Sequence, residues 1–520
     1  MKMKKVAAMG MAAVTALSML AGCGSSGGSS SSSSAEKTAE SGSAQATSDS
    51  GEAEDIVFAI PLSKTVDMSP IEDEVNKITE NKLNVHVKIE GISMANYSNQ
   101  VGLMMSGGEQ IDIVSWIGTY SSLIAKKQLM PMTDLIDQYG ADAKEVLGEE
   151  FLKSTTSNGD LYGLPVNNGK AAVLNLVIRK DLVEELNLPV DQLTQAADFD
   201  GYCKNLDLIT EMYAKIHEAH PEMACVVPSQ TNPNGFMITG VPFVDGLNDS
   251  LGVLMPGEDS KLENIYATSE FEKLCEYAYD WNQSGYVLED ATTTQETNNT
   301  YMQNNRAATF FITGEEGQAE QITTATGVDV ESIKLVEPYI TTASVNGIGF
   351  GISSTSKHPE VAMKFLNEMY SNADLVNLLD WGIEGVHYEV QDDGTVDFPE
   401  GVDASNTTYG LNMDWFFGNQ FLSKIWGKGR DTTIYERLEA NNKNAQFTPV
   451  MGFSYNSEPV STEIAAISNV TNQYLPGLQC GSLNPSETIP EFLQALDDAG
   501  INVVIEEKQK QLDEWKANNQ

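Results

Sequence analysis

The sequence predicts an α/β protein of at least two domains, and three observations carry that prediction. Beyond residue 55 the chain alternates segments of strand period with segments of helical period. About 465 residues follow the low-complexity start, too many for a single core. The hydrophobic fraction, 41%, is that of an ordinary globular chain.

The body opens with an apolar strand at Ile56, Val57, Phe58, Ala59 and Ile60. Ser69-Pro70-Ile71-Glu72 predicts a capping box with proline at the first helical position. Ile71, Val75 and Ile78 then form one buried helical stripe. Val85, Val87 and Ile89 alternate with His86 and Lys88, the period of a second strand. A helix near 97–105 stops at Gly107-Gly108, and a third strand spans 111–116. This order predicts a parallel sheet, with ligands beyond the carboxyl ends of its strands. The loops after Ile60 and Val114 are therefore candidate ligand walls.

A strand at 161–166 leaves this unit, and residues from 171 onward form a second α/β region. That region holds helices near 180–188 and 271–281 and a strand at 307–312. Ile348-Gly349-Phe350-Gly351-Ile352 reads as a strand feeding a helix that starts near Pro359. Gly347-x-Gly349-x-Gly351 lacks the dinucleotide spacing and reads as close backbone packing at a crossover. Two helices, near 489–499 and 503–516, close the chain on either side of Gly500. No internal repeat is present.

The first 54 residues differ from the rest. Lys2, Lys4 and Lys5 precede an apolar run over 6–20 and then Leu20-Ala21-Gly22-Cys23. This is the layout of a cleaved export signal, and the run is shorter than the ~20 residues a membrane span needs. Residues 24–54 are almost all Ser, Gly, Ala, Thr, Glu and Asp, too polar to fold. They predict a flexible tether with a reach of roughly 30 Å. The formal charge is −43, and losing residues 1–22 removes three lysines and no acids, leaving −46. Such a body repels phosphate backbones, so nucleic acid is excluded as a partner. Cys203, Cys225, Cys275 and Cys480 show no paired spacing, and their disulfide state is open.

Leu20 to Cys23 resembles the bacterial lipobox, in which Cys23 receives the lipid. The body resembles family 1 extracellular solute-binding proteins of ABC importers, and most closely the LipO-like lipoproteins. Met105-Ser106-Gly107-Gly108-Glu109-Gln110-Ile111-Asp112 resembles the family's stretch before its third strand. Ser356-Lys357-His358-Pro359-Glu360 and Gly382-Ile383-Glu384-Gly385-Val386-His387-Tyr388 resemble later family motifs. Phe417-Gly418-Asn419-Gln420, Met451-Gly452-Phe453, Glu463 to Ile467, Ala499-Gly500-Ile501 and Lys510 to Trp515 resemble the uncharacterised C-terminal region attached to this subfamily.

The resemblance implies two α/β lobes joined by crossovers, a cleft between them, and hinge closure on a small solute. It implies a lipid anchor on the outer face of the bacterial cytoplasmic membrane and delivery to ABC importer membrane subunits. The expected organisation is a signal over 1–22 and a linker over 23–54. A first lobe is expected over 55–166 and 345–390, and a second over 167–344 and 391–520.

No catalytic constellation accompanies these features. There is no Gly-x-Ser-x-Gly, no phosphate loop and no His-Glu-x-x-His. His217 and His220 lack further metal ligands nearby, and Asp392-Asp393-Gly394 reads as a hairpin turn. No cofactor, metal site or enzymatic activity is expected. A sugar instead needs aromatic faces and directional polar groups. The strand-end loops supply Trp116 and Tyr120, Asn167 and Asn168, Phe311 and Glu315, Trp381, Glu384 and Tyr388, and Trp415. Trp116 is the foremost candidate because sheet topology places it. The alternatives are a peptide or amino-acid receptor and a tethered surface glycoside hydrolase. Before Arg430 the only arginines are Arg179 and Arg306, which favours a neutral ligand.

Overall fold

The computed structural model describes residues 53–171, 173–228, 244–314 and 317–519. The expected signal, Cys23, residues 23–52 of the expected linker and Glu315 lie outside the described residues, and the linker ends earlier than expected, because its last residue, Glu54, already belongs to the first strand. Along the chain the strands that matter are β1 (Glu54–Leu62), β2 (Val85–Ser93), β3 (Ile113–Ile117), β4 (Leu164–Pro165), β5 (Val173–Arg179), β6 (Ala224–Val226), β7 (Ala307–Gly314), β8 (Val330–Lys334) and β9 (Ile348–Ile352).

They form two sheets. The first runs β2-β1-β3-β9-β4, with β1 parallel to β2 and β3. The parallel trio matches the strand-helix alternation. β9, however, enters antiparallel to both β3 and β4. It arrives from the other sheet, and its direction is set by that crossing rather than by a local βαβ step. The second sheet runs β8-β5-β7-β6, with β5 antiparallel to β7 and β8 and β6 parallel to β7.

Each sheet carries its own core. Ile56, Phe58 and Ile60 of β1 face one side of the first sheet, against Phe365, Leu366 and Met369 of the helix Pro359–Ser371. Ala59, Val114 and Trp116 face the other side, against Tyr97 and Val101 of the helix Tyr97–Gly107. This two-sided burial follows from the period-two alternation of side chains along a strand. The second core gathers Leu176, Ile178, Phe310 and Phe311 with Tyr213 and Trp281 from the helices Phe199–Ala219 and Ser269–Gln283.

Three crossovers join the cores. The first passes from Ala171 in the first core to Val173 in the second. The second runs from Val336 to Ile340, and the third passes around Val450 and Met451. The second and third pair as short parallel strands, Tyr339–Ile340 against Gln446–Phe447. Here the boundary expected after residue 390 is corrected. Tyr409, Leu411, Met413, Phe416 and Phe417 are buried in the first core, so the first lobe keeps the chain to about the third crossover. The helices Ser461–Gln479, Pro485–Asp498 and Ile501–Asn518 return to the second core through Ile467, Phe492 and Leu512.

Two local expectations also change. The helix Ser69–Leu83 has Met68 as its N-cap and no side-chain cap, so the capping box is absent. The Glu72 carboxylate is taken instead by the Ile89 backbone N–H at 2.7 Å, tying the helix to β2. Cys203, Cys225, Cys275 and Cys480 are free thiols. The glycine run behaves as expected. A Cβ on Gly349 would lie 2.4 Å from Trp116 Cζ2 and 2.6 Å from the Leu164 carbonyl oxygen, and only a bare backbone fits there.

Candidate functional site

A cavity of about 410 Å³ opens beside the crossovers and is bordered by three tryptophans, Trp381, Trp415 and Trp426. Each is placed by a different local device. Trp381 ends the helix Ala373–Trp381, whose N-cap Asn372 accepts from the Asp374 and Leu375 N–H groups. The following Gly382 has φ 89°, and a Cβ there would meet His387 Nδ1 at 2.5 Å. That close approach lets His387 Nδ1 accept from the Ile383 N–H at 2.9 Å, which folds the loop back under Trp381. Burial lowers the His387 pKa, favouring the neutral ring that such acceptance requires.

Trp426 is held by main-chain bonds to Val396: Val396 N–H donates to the Ile425 carbonyl at 2.8 Å and Gly427 N–H to the Val396 carbonyl at 2.7 Å. Its ring lies 5.1 Å from that of Trp381 at 31°, with Phe398 edge-on at 4.8 Å. Trp415 is partly exposed and stands between the buried Met413 and Phe416. Its carbonyl accepts from Asn168 Nδ2 at 2.9 Å, so the first crossover fixes this third ring.

Polar groups complete the wall. Asp414 Oδ2 accepts from the Tyr435 hydroxyl at 2.7 Å and from Gln420 Nε2 at 3.1 Å. Burial, and then the charge of Asp414, raises the Tyr435 pKa and keeps the phenol protonated as donor. Arg430 donates to the Trp426 carbonyl at 3.3 Å. Gln318 and Gln321 come from the helix Gln318–Thr326, which follows β7 of the second sheet. The cavity is therefore walled from both sides of the crossovers. Behind Trp381, the Asp380 carboxyl is fully buried and accepts from the Ser423 hydroxyl. Burial lifts its pKa well above the usual carboxylate range.

The sequence candidates divide clearly. Trp381 and Trp415 line the cavity. Tyr388 is buried against Trp381 and Trp426 and backs them, while Glu384 is exposed. Asn167 and Asn168 brace the crossover: Asn167 Nδ2 donates to Asn419 Oδ1 at 2.9 Å, and Asn442 Nδ2 donates to the Asn168 carbonyl at 2.8 Å. Trp116, expected as a ligand plate, does not line this cavity and is packed inside the first lobe. It is 1% exposed, donates from Nε1 to the Asn346 carbonyl at 2.8 Å, and lies against Gly163 and Gly349. Tyr120 packs on it at 5.0 Å and donates to the Thr155 carbonyl at 2.7 Å. Phe311 stacks on Trp281 inside the second core, away from the cavity. Sequence reasoning missed Trp426, Asp414, Arg430, Tyr435 and the two glutamines. The one available signal was the aromatic and glycine-rich stretch from Trp415 to Tyr435.

Among the described residues no group of three or more His, Cys, Asp or Glu could hold a metal, and no helix is long and apolar enough to cross a membrane. The site offers rings, amides, one carboxylate and one guanidinium, which is equipment for holding a ligand. Residues 63–375, more than half of the chain, match the family model described as bacterial extracellular solute-binding protein. The chain belongs to that family. This solute-binding protein also matches, over 449–517, a domain of unknown function, DUF3502. Phe417 to Gln420 lie outside that span and serve the first crossover instead.

A carbohydrate ABC transporter substrate-binding protein of Streptococcus pneumoniae serotype 4 (strain ATCC BAA-334 / TIGR4) is 26% identical over 457 residues, covering 85% of this chain and 87% of the relative. The crystal structure of the N-glycan transport solute-binding protein NgtS from Streptococcus pneumoniae superposes with a TM-score of 0.71 at 22% identity, covering 90% of this chain and all of that one. An extracellular solute-binding protein from Bifidobacterium longum subsp. infantis gives 0.58 at 13% identity, covering 90% and 100%. These likenesses establish the solute-binding-protein fold, and the family is one of binding proteins rather than enzymes.

Proposed function

We propose that this solute-binding protein captures a neutral carbohydrate in the tryptophan cavity and delivers it to the membrane subunits of an ABC importer. The observation that carries the reading is the pair of partly exposed indole rings, Trp415 and Trp426, backed by the buried Trp381, with amide, carboxylate and guanidinium groups around one cavity. Indole faces cover the apolar C–H faces of a pyranose, and the polar rim meets its hydroxyls in fixed directions. The pneumococcal relatives support the ligand class, since one is named for carbohydrate transport and the other was solved with Man1GlcNAc and with Man5GlcNAc. Because the wall comes from both sides of three thin crossovers, hinge closure would complete it around the ligand.

Anchoring belongs to the same proposal. The Leu20 to Cys23 motif and the polar run behind it support a lipidated Cys23 that tethers the receptor to the outer face of the cytoplasmic membrane. An amino-acid or peptide ligand is the reading that Arg430 and Asp414 together would favour. Asp414 is already engaged by Tyr435 and Gln420, and Arg430 by a carbonyl, so these charges are partly spent inside the protein.

The test is isothermal titration of the mature chain and of Trp415→Ala with neutral oligosaccharides. Withdrawing a ring worth about 1.5–3 kcal/mol of burial weakens affinity about 10- to 100-fold. A partly exposed ring contributes little to the core, so the melting temperature stays near the parent's. Unchanged affinity in Trp415→Ala would remove the cavity from the binding function.

A further inference from the structure

We propose that His387 is a positioning residue for ligand capture: its neutral ring closes the loop behind the tryptophan cavity, and protonating it opens that loop and weakens binding. This role rests on the tryptophan cavity being the capture site. It adds an acid-sensitive control that the cavity lining alone does not imply.

The loop runs from Gly382 to Tyr388, directly after the helix that ends at Trp381. It is closed on itself at Ile383. The His387 N–H donates to the Ile383 carbonyl at 2.8 Å, and the Ile383 N–H donates back to His387 Nδ1 at 2.9 Å. Two further main-chain bonds tighten the turn, from the Val386 N–H to the Ile383 carbonyl at 3.1 Å and from the Gly385 N–H to the Tyr388 carbonyl at 2.7 Å. Among these bonds only the one to Nδ1 depends on a titrating group. With Nδ1 accepting, the neutral ring carries its proton on Nε2, which lies 3.0 Å from the Thr408 hydroxyl. A proton on Nδ1 removes the accepting lone pair and sets two N–H groups against each other. The ring has little room to turn away. It is 5% exposed, lies 5.6 Å from the Tyr409 ring, and touches Gly382 closely enough that a Cβ there would meet Nδ1.

The effect reaches the cavity through the next residue. Tyr388 is buried in one cluster with Trp381 and Val396, and Trp426 packs against that cluster. A loop that opens at His387 therefore shifts the ring that backs the Trp381 and Trp426 pair. The titratable and charged groups around His387 are few. Its own loop brings Glu384, which is exposed, and Tyr388. The helix Ala373–Trp381 brings Asp374 and the buried Asp380, and the segment 407–410 brings Tyr409, with Lys64 beside Gly410. Burial holds both tyrosines protonated. Among the described residues neither ring nitrogen pairs with a carboxylate, and burial is what lowers the His387 pKa. A folded pKa below the unfolded value of about 6.5 leaves the neutral ring's contribution complete above about pH 6.5 and removes it as pH falls toward the folded pKa.

The test uses the mature full chain labelled with 5-fluorotryptophan and with ¹⁵N-histidine. Fluorine NMR follows Trp381 and Trp426 without ligand, each assigned by its Trp→Phe variant, while the nitrogen label follows the His387 ring. Isothermal titration with Man5GlcNAc reads affinity over the same range of pH. Both indole resonances should move as the His387 ring protonates, and affinity should fall at least about threefold between about pH 7.5 and pH 5. His387→Asn keeps an acceptor oxygen close to the place of Nδ1 and does not titrate, so both acid effects should disappear. His387→Leu keeps no acceptor and should show the displaced resonances and the weaker binding already at about pH 7.5. If either variant fails to fold, the coincidence of the His387 and Trp381 titrations in the parent decides. Indole resonances that stay still while His387 protonates, a ring that remains neutral to about pH 5, or an acid loss that persists in a folded His387→Asn would each overturn the role. So would constant affinity beside moving resonances; a loss of affinity in Trp415→Ala under the same conditions would then show that the cavity reading survives. A sugar that fails to bind at any pH would overturn the capture role together with that reading.

Discussion

Trp116→Ala separates a packing ring from a ligand-binding one. The indole is 1% exposed and lies between two glycines, with Gly163 and Gly349 so close that a Cβ on either would overlap it. Replacing such a ring by alanine costs about 3–5 kcal/mol through lost transfer energy and the cavity left behind. The substitution also removes the donor that pairs with the Asn346 carbonyl, worth about 1 kcal/mol more. At about 2–4 °C per kcal/mol for chains of 150–250 residues, and less for longer ones, the melting temperature should fall by about 5–10 °C. Trp116 does not line the tryptophan cavity, so ligand affinity measured well below the melting range should change by less than about tenfold. Calorimetric melting and isothermal titration on the same preparation read both quantities. An unchanged melting temperature with a hundredfold loss of affinity would show that the ring meets ligand and that its burial does not describe the binding state.

Three further outcomes follow from other parts of the molecule. Asp380 is neutral when buried, its folded pKa lying above its unfolded one, so its contribution to stability is present in full at low pH and is lost as pH rises toward the folded pKa. Asp380→Asn removes that titration, and its melting temperature relative to the parent should be higher at about pH 8 than at about pH 5; a difference that shrinks as pH rises would refute the assignment. Asn442 accepts from the Lys170 and Ala171 N–H groups and donates to the Asn168 carbonyl, so Asn442→Leu removes three hydrogen bonds that hold the first crossover. At about 1–3 kcal/mol for each buried group, the variant should melt well below the parent, and a melting temperature within a degree or so would show that the crossover is held elsewhere. Cys23→Ala should lose lipidation and release the protein from membrane pellets; partition unchanged from the parent would end the anchor proposal.

Much of the fold was legible because local periodicity is set by the backbone. β1, β2 and β3 announced themselves through alternating or continuous apolar residues, and the αL conformations of Gly108 and Gly500 mark helix ends where the sequence placed them. The glycine run before and within β9 was readable as close packing because its spacing does not fit a dinucleotide loop, and Gly349 and Gly351 do lie against neighbouring backbone. The direction of β9 was not readable, because it depends on a crossing from the second core. The lobe membership of residues 391–447 was hidden for a similar reason: Tyr409, Phe416 and Phe417 sit in irregular chain with no period to assign them to either core. At the site, aromatic residues were the correct currency but an ambiguous one. Trp116 and Phe311 satisfy cores, Trp415 and Trp381 border the cavity, and composition alone does not distinguish the two uses. Trp426 was missed because its position comes from pairing with Val396, thirty residues upstream.

The most direct test of carbohydrate capture is titration of the mature, unmodified chain with a panel of neutral oligosaccharides, peptides and amino acids, followed by chemical recovery of whatever binds. Sugars of at least one class should bind and raise the melting temperature by mass action. The bound sugar should be recovered intact after prolonged incubation. Binding confined to peptides or amino acids would contradict the carbohydrate reading, and cleavage products that accumulate with the purified protein would contradict the receptor itself.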